Sequence, residues 1–228
     1  LMLPGRFLEA AEATGLIIDV GTWTLRTALE TGARWRGAGI DWGVTVNIAP
    51  RHFAEPGLVA SIERMLAEAK LPPATLELEV TESTALSNVD RAMDVMQQLR
   101  AIGVRVSLDD FGAGYSVMNH LRRMPADSLK LEQSFVRGAP TSLMDAAVVR
   151  ALTHIAQSGG MEIVAEGVET EAQVECARAA GVDLLQGYLV GEPRADYADL
   201  TVARALAVAQ PAKNAGAAAA SPIGPPLA

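Results

Sequence analysis

Six places in the chain set a polar, chemistry-bearing residue at the end of an apolar run: Asn47, Glu79, Asp109 with Asp110, Lys130 with Glu132, Glu166 and Gln186. Carboxylates brought together repel one another and lose hydration, and one lysine cannot compensate several of them. Divalent cations can. A donor set of carboxylates with one amide carbonyl suits hard ions such as Mg2+ or Mn2+ better than zinc. Such ions polarise phosphoryl oxygens and acidify water. The residue types therefore point to metal-dependent chemistry on an oxyanionic substrate, with phosphoester hydrolysis as the leading candidate.

That chemistry requires the six places to converge, and the hydrophobic pattern supplies a way. Helical periodicity is expected over Arg6–Thr14, Gly21–Trp35, Gly57–Ala69, Val89–Ala101, Leu143–Ser158, Glu171–Ala180 and Ala198–Val208. Between the helices lie short β-rich runs at Gly43–Ile48, Thr75–Val80, Val104–Leu108, Ser128–Leu131, Met161–Ala165 and Val182–Gln186. Strands that alternate with helices form a parallel sheet, because parallel neighbours need a long crossover. Equal spacing favours a (β/α) barrel, which takes eight strands and about 250 residues. Six strands are legible, so the expectation is an α/β, (β/α)8 TIM-barrel-like fold lacking its first two strands. In each run the aliphatic residues share one phase and Thr45/Asn47, Glu77/Glu79, Arg105/Ser107/Asp109 and Lys130/Glu132 share the other. The last polar residue of each strand then sits at the C-terminal mouth, where barrel enzymes keep their active sites.

Each position also has a plainer reading. Asp109-Asp110 before Phe111-Gly112-Ala113-Gly114 reads equally as a turn, Glu166 to Thr170 as a strand end leading into a helix, Lys130 as a snorkelling surface residue, and Gln186 as a loop donor. What favours the site is that five successive strand ends carry the polar residue in the same phase. Met93 and Met96 read as core filler. Trp23, Trp35 and Trp42 are expected to pack between helices and barrel, and His52 and His120 have no ligand partner at helical spacing.

Composition narrows the partners. Lys+Arg number 19 against 27 Asp+Glu in 228 residues, a net charge of -8, with lysine only at positions 70, 130 and 213. No basic stripe is available for a nucleic-acid polymer. A single cysteine, Cys176, and three scattered histidines exclude an internal disulfide and a Cys/His zinc site, which fits a reducing, cytoplasmic compartment. No apolar run approaches the roughly 20 residues of a membrane span. The expected organisation is a domain over 1–210, with an Ala/Pro/Gly-rich tail over 211–228 too poor in core residues to order.

Six segments in order resemble the signature of EAL domains: Val46-Asn47-Ile48, Leu78-Glu79-Val80-Thr81-Glu82-Ser83, Asp109 to Ser116, Lys130 to Val136, Ala165 to Thr170, and Gln186-Gly187-Tyr188. EAL domains are bacterial phosphodiesterases that cut cyclic di-GMP to linear pGpG. The resemblance runs from Pro4 to about Pro193. It implies a barrel with one antiparallel strand near its beginning, a two-metal site for Mg2+ or Mn2+, and a homodimer, with a sensory or cyclase domain upstream in the full-length protein. It also implies roles. Asn47, Glu79, Asp109 and Asp110 correspond to metal ligands, Glu166 to the general base or water-positioning group, and Lys130 to the lysine beside the attacking water. Glu82 corresponds to the residue that holds the loop from Asp109 to Ser116. Glu169 and Gln186 fall at positions of the metal shell or substrate contacts.

Two features depart from the family pattern. The Glu-Ala-Leu tripeptide that names the family is not found; Leu8-Glu9-Ala10 belongs to a later helix. The family's Lys-x-Asp is here Lys130-Leu131-Glu132, whose extra methylene moves a carboxylate by roughly 1 Å, enough to disturb a metal site. A degenerate domain acting as a cyclic di-GMP receptor or interaction module, and a fragment that folds poorly alone, are therefore expectations beside the enzyme.

Overall fold

The computed structural model describes residues 4–112 and 123–193. After a 3-10 turn at Pro4–Arg6 the elements are α1 (Leu8–Thr14), α2 (Ile17–Gly37), β1 (Val44–Asn47), α3 (Pro50–Phe53), α4 (Leu58–Ala69), β2 (Leu76–Thr81), α5 (Glu82–Ser87) and α6 (Val89–Ala101). There follow β3 (Arg105–Phe111), β4 (Ser128–Leu131), α7 (Gln133–Gly138), α8 (Leu143–Ser158), β5 (Glu162–Ala165), α9 (Glu171–Ala180) and β6 (Leu184–Leu185). Among the described residues six strands form one sheet in the order β1 to β6, each pair parallel. The sheet curls as part of a TIM-like barrel. The antiparallel strand expected near the beginning has no counterpart among the described residues.

The two-residue alternation of the strands divides the sheet as expected. Leu76, Leu78 and Val80 of β2, Val106 and Leu108 of β3, and Leu129 and Leu131 of β4 are all fully buried. They pack under the helices with Leu25 and Leu29 of α2, Ile62 of α4, Leu99 of α6 and Leu152 of α8. Burying each such side chain contributes about 1.5–3 kcal/mol. Helix starts are capped by side chains: Thr81 for α5, Asn88 for α6, Ser142 for α8, and Thr170 for α9, where Gln173 completes a capping box.

The structure corrects several expectations. Strand β3 extends beyond Leu108 to Phe111, so Asp109 and Asp110 lie within the strand and the turn begins only after it. Strand β6 is a two-residue stub. Helices α3, α5 and α7 have no counterpart in the hydrophobic pattern, because stretches this short carry no periodicity. Trp23 is 66% exposed rather than packed. Trp35 does pack against the core and meets Trp42 edge-to-face at 5.4 Å, while Met96 is buried and Met93 half-buried. The helix expected over Ala198–Val208, the tail over 211–228 and His120 lie outside the described residues.

Candidate active site

The polar phase of the strands produces two separate clusters, one at each end. At the N-terminal end Arg105 donates to Glu77 at 2.8 Å and also pairs with Glu162, and Ser128 donates to Glu77 at 3.0 Å. Sequence reading did not single out this closing cluster, although the alternation of Glu77, Arg105 and Ser128 carried the signal.

At the C-terminal end Lys130 is the centre. Its ammonium lies 2.5 Å from Glu79 Oε1, pairs with Glu166, and lies 3.4 Å from Asp109 Oδ1. The lysine is 4% exposed, which excludes the snorkelling reading. Burial alone would push its pKa down, but the hydrogen bonds and charges of Glu166 and Glu79 outweigh burial and push it up. The same burial raises the carboxyls of Glu79 and Glu166, and Lys130 offsets this only in part. Both directions hold together because one ammonium is shared by several carboxylates that also repel each other.

The second half of the site rests on an irregularity in β3. The register against β4 shifts between Leu108 and Phe111, and Asp110 adopts a left-handed backbone with φ 56°. A bulge lets consecutive side chains address one side of a sheet. Asp109, Asp110 and Glu166 each then offer a carboxylate oxygen within 4.8 Å of the others. Partial burial raises the Asp110 carboxyl, and the charges of Asp109 and Glu132 raise it further. Glu82, 7% exposed, accepts a hydrogen bond from the Gly112 N–H at 3.0 Å and so holds the chain directly after this pair.

The remaining candidates lie around this core. Asn47 is exposed at the end of β1, in register beside Glu79. Glu169 is exposed, and its N–H donates to Gln173 at 2.6 Å at the entrance to α9. Gln186 is exposed; its backbone N–H donates to Ala165 and its carbonyl accepts from Val168, which clasps the segment bearing Glu166. Glu132 is not in the carboxylate cluster. Its side chain accepts from the Ser134 N–H at 3.2 Å and from the Ser134 hydroxyl, capping α7. His52, on α3, is buried against Gly21, its Nδ1 has no partner among the described residues, and burial lowers its pKa.

An acidic cluster over a buried lysine at the C-terminal mouth of a parallel sheet does not by itself name a family. The comparison with family models matches residues 1–193 to the EAL domain. The chain belongs to the EAL domain family. It is 43% identical over 194 residues to the bifunctional diguanylate cyclase/cyclic di-GMP phosphodiesterase MucR of Pseudomonas aeruginosa, covering 85% of this chain and 28% of that protein. It is 35% identical over 193 residues to the cyclic di-GMP phosphodiesterase PdeR of Escherichia coli, covering 85% of this chain and 29% of that one. The chain thus spans under a third of these curated relatives. Among solved structures, the MucR phosphodiesterase in complex with c-di-GMP superposes with TM-score 0.80 at 43% identity, covering 84% of this chain and 78% of that one. The Xanthomonas citri FimX EAL domain in complex with c-di-GMP also gives 0.80, at 26% identity, covering 84% and 76%. In this EAL chain no helix among the described residues is long and apolar enough to cross a membrane.

Proposed function

We propose that this EAL domain hydrolyses cyclic di-GMP to linear pGpG with Mg2+ or Mn2+. The observation that carries the reading is the convergence of Asp109, Asp110 and Glu166 beside Lys130 in a chain whose relatives are named as cyclic di-GMP phosphodiesterases. The donor set fits such an ion: three carboxylates, no thiol and no imidazole, of the kind that binds hard cations. Asp109, Asp110 and Glu166 would hold it, with Glu79 and Asn47 alongside. A divalent ion bound there supplies Lewis acidity toward a phosphoryl oxygen and acidifies water.

The chain's own residues have distinct tasks in this reading. Lys130 neutralises part of the carboxylate charge before substrate arrives and presents an ammonium to the phosphodiester. Glu166, half-buried with a raised pKa, is suited to orient the attacking water and accept its proton. Glu82 holds the Asp109–Asp110 segment in place through Gly112. Glu169 and Gln186 edge the same face as substrate contacts. Homodimerisation, an upstream sensory or cyclase domain and cytoplasmic placement of this domain belong to the same reading.

Incubation of the chain with cyclic di-GMP and Mg2+ or Mn2+, followed by chromatography for pGpG, is the test. Turnover abolished by Glu166→Gln supports the reading. A receptor that binds without cutting is the second reading, favoured by Glu132, which caps a helix where the family's shorter aspartate stands. Calorimetric binding of cyclic di-GMP with no pGpG formed would establish the receptor instead.

A further inference from the structure

The two segments that carry the candidate metal-binding carboxylates come from strands β3 and β5, which are not neighbours, so something between them must set their separation. Strand β4 lies between, and α7 leaves it at the level of the mouth. Three contacts tie this short helix to both sides. The Glu132 N–H donates to the Phe111 carbonyl at 3.4 Å. The Phe135 ring closes over Gly112, where a Cβ would stand 3.0 Å from Phe135 Cε2 and 3.2 Å from Leu152 Cδ1. On the other side Gln133 lies so close over Gly167 that a Cβ there would overlap its side chain. Both glycines have positive φ, 113° at Gly112 and 64° at Gly167, so each is the residue at which its segment turns away from the sheet. Gly112 follows Asp109 and Asp110, and Gly167 follows Glu166. The helix that fills the gap is seated by its own N-cap, because the Glu132 carboxylate accepts from both the backbone and the hydroxyl of Ser134.

We propose that α7 is a bracket that sets the distance between Asp109–Asp110 and Glu166, with Gln133 and Phe135 as its two contact points and Glu132 as its cap rather than a metal ligand. The proposal rests on the phosphodiesterase reading above. It assigns a use to the glutamate that replaces the family's aspartate: both of its oxygens serve the helix, which positions the two segments through Gly112 and Gly167, while its charge is also felt at Asp110.

Asparagine and glutamate differ here in a way that separates cap from ligand, since asparagine is among the best N-caps but carries no charge. The full chain, its Glu132→Asn, Glu132→Ala and Gln133→Ala variants are compared for Mn2+ affinity by calorimetry without substrate, and for kcat and KM on cyclic di-GMP. A bracket predicts Mn2+ affinity within about threefold of the parent for Glu132→Asn and about tenfold weaker for Glu132→Ala. It predicts a kcat about tenfold lower for Gln133→Ala, with KM nearly constant and the melting temperature unmoved, because Gln133 is exposed and contributes little to the core. Equal loss of Mn2+ affinity in both Glu132 variants means that the carboxylate charge, not the helix cap, sets the affinity, and overturns the proposal. A Gln133→Ala enzyme with parental kcat removes the bracket while leaving the phosphodiesterase reading intact. A parent chain that neither binds Mn2+ nor forms pGpG removes both. Should Glu132→Ala fail to fold, Glu132→Asn and Gln133→Ala still decide.

Discussion

The Lys130 ammonium and the Glu79 carboxylate lie 2.5 Å apart with both side chains more than nine-tenths buried. An ion pair so placed is costly to desolvate, and its removal from one side is costlier still, because the remaining charge has no water to return to. In this fold Lys130 also serves Glu166 and Asp109. It acts as an internal counter-ion for a cluster otherwise suited to divalent metal.

Lys130→Met should therefore destabilise the metal-free protein by about 3–5 kcal/mol. Added Mn2+ should raise the melting temperature of the variant more than that of the parent, since the freed carboxylates then rely on the metal alone. Urea melts with EDTA and with Mn2+ measure both effects. A loss below about 1 kcal/mol, the range of exposed pairs, would mean that Lys130 is not the counter-ion.

The raised carboxyls make stability depend on pH in an unusual direction. Glu79 and Glu166 have folded-state pKa values above the ordinary glutamate value. Between the ordinary and raised values the folded chain keeps protons that the unfolded chain has released, so metal-free stability falls as pH rises through that window. Lys130 acts at the alkaline end: its contribution is complete below the unfolded lysine value and is lost as pH climbs through the raised folded value. Metal binding needs deprotonated carboxylates, so Mn2+ affinity should grow over the range in which metal-free stability declines. Melts at a series of pH values upward from about 4.3, the reference glutamate pKa, run with and without Mn2+, would show the two trends crossing. Parallel trends would count against the assignment.

Glu82→Ala should leave the Gly112 N–H without its acceptor, at about 1–3 kcal/mol. It should also lower kcat by about tenfold or more, because Asp109 and Asp110 lose their support. Glu82→Gln keeps an amide oxygen for the same N–H and should recover part of both losses. Steady-state kinetics of the two variants separate this support from a general loss of folding, which would reduce both alike.

Ser107 is fully buried on β3 beside Glu79 in register, and its hydroxyl has no partner among the described residues. Since a buried hydroxyl without a hydrogen bond carries an uncompensated desolvation cost, Ser107→Ala should stabilise the protein, by at most about 1–3 kcal/mol. Denaturant melts of the pair check this. A loss above about 1 kcal/mol would reveal a hydrogen bond made through water.

Local pattern alone was enough for much of this protein. The helices at Val89–Ala101, Leu143–Ser158 and Glu171–Ala180 and the strand at Ser128–Leu131 agree with the structure to the residue, because amphipathic period and caps are properties of neighbours in sequence. The same holds for the phase that put Glu79, Asp109 and Lys130 on one side of the sheet, and for the likeness to EAL domains carried by six ordered segments. Tertiary structure decided what depends on neighbours in space. The bulge that turns Asp110 toward Asp109 arises from the register between β3 and β4, which neither strand encodes by itself. The ion pairs of Lys130 depend on burial, which no run of residues displays. Glu132 is the sharpest instance: its sequence position places it with the carboxylates, yet Ser134, two residues on, captures it as a helix cap. A long side chain goes where its hydrogen bonds are best satisfied, and that is settled only once the helix beside it has formed.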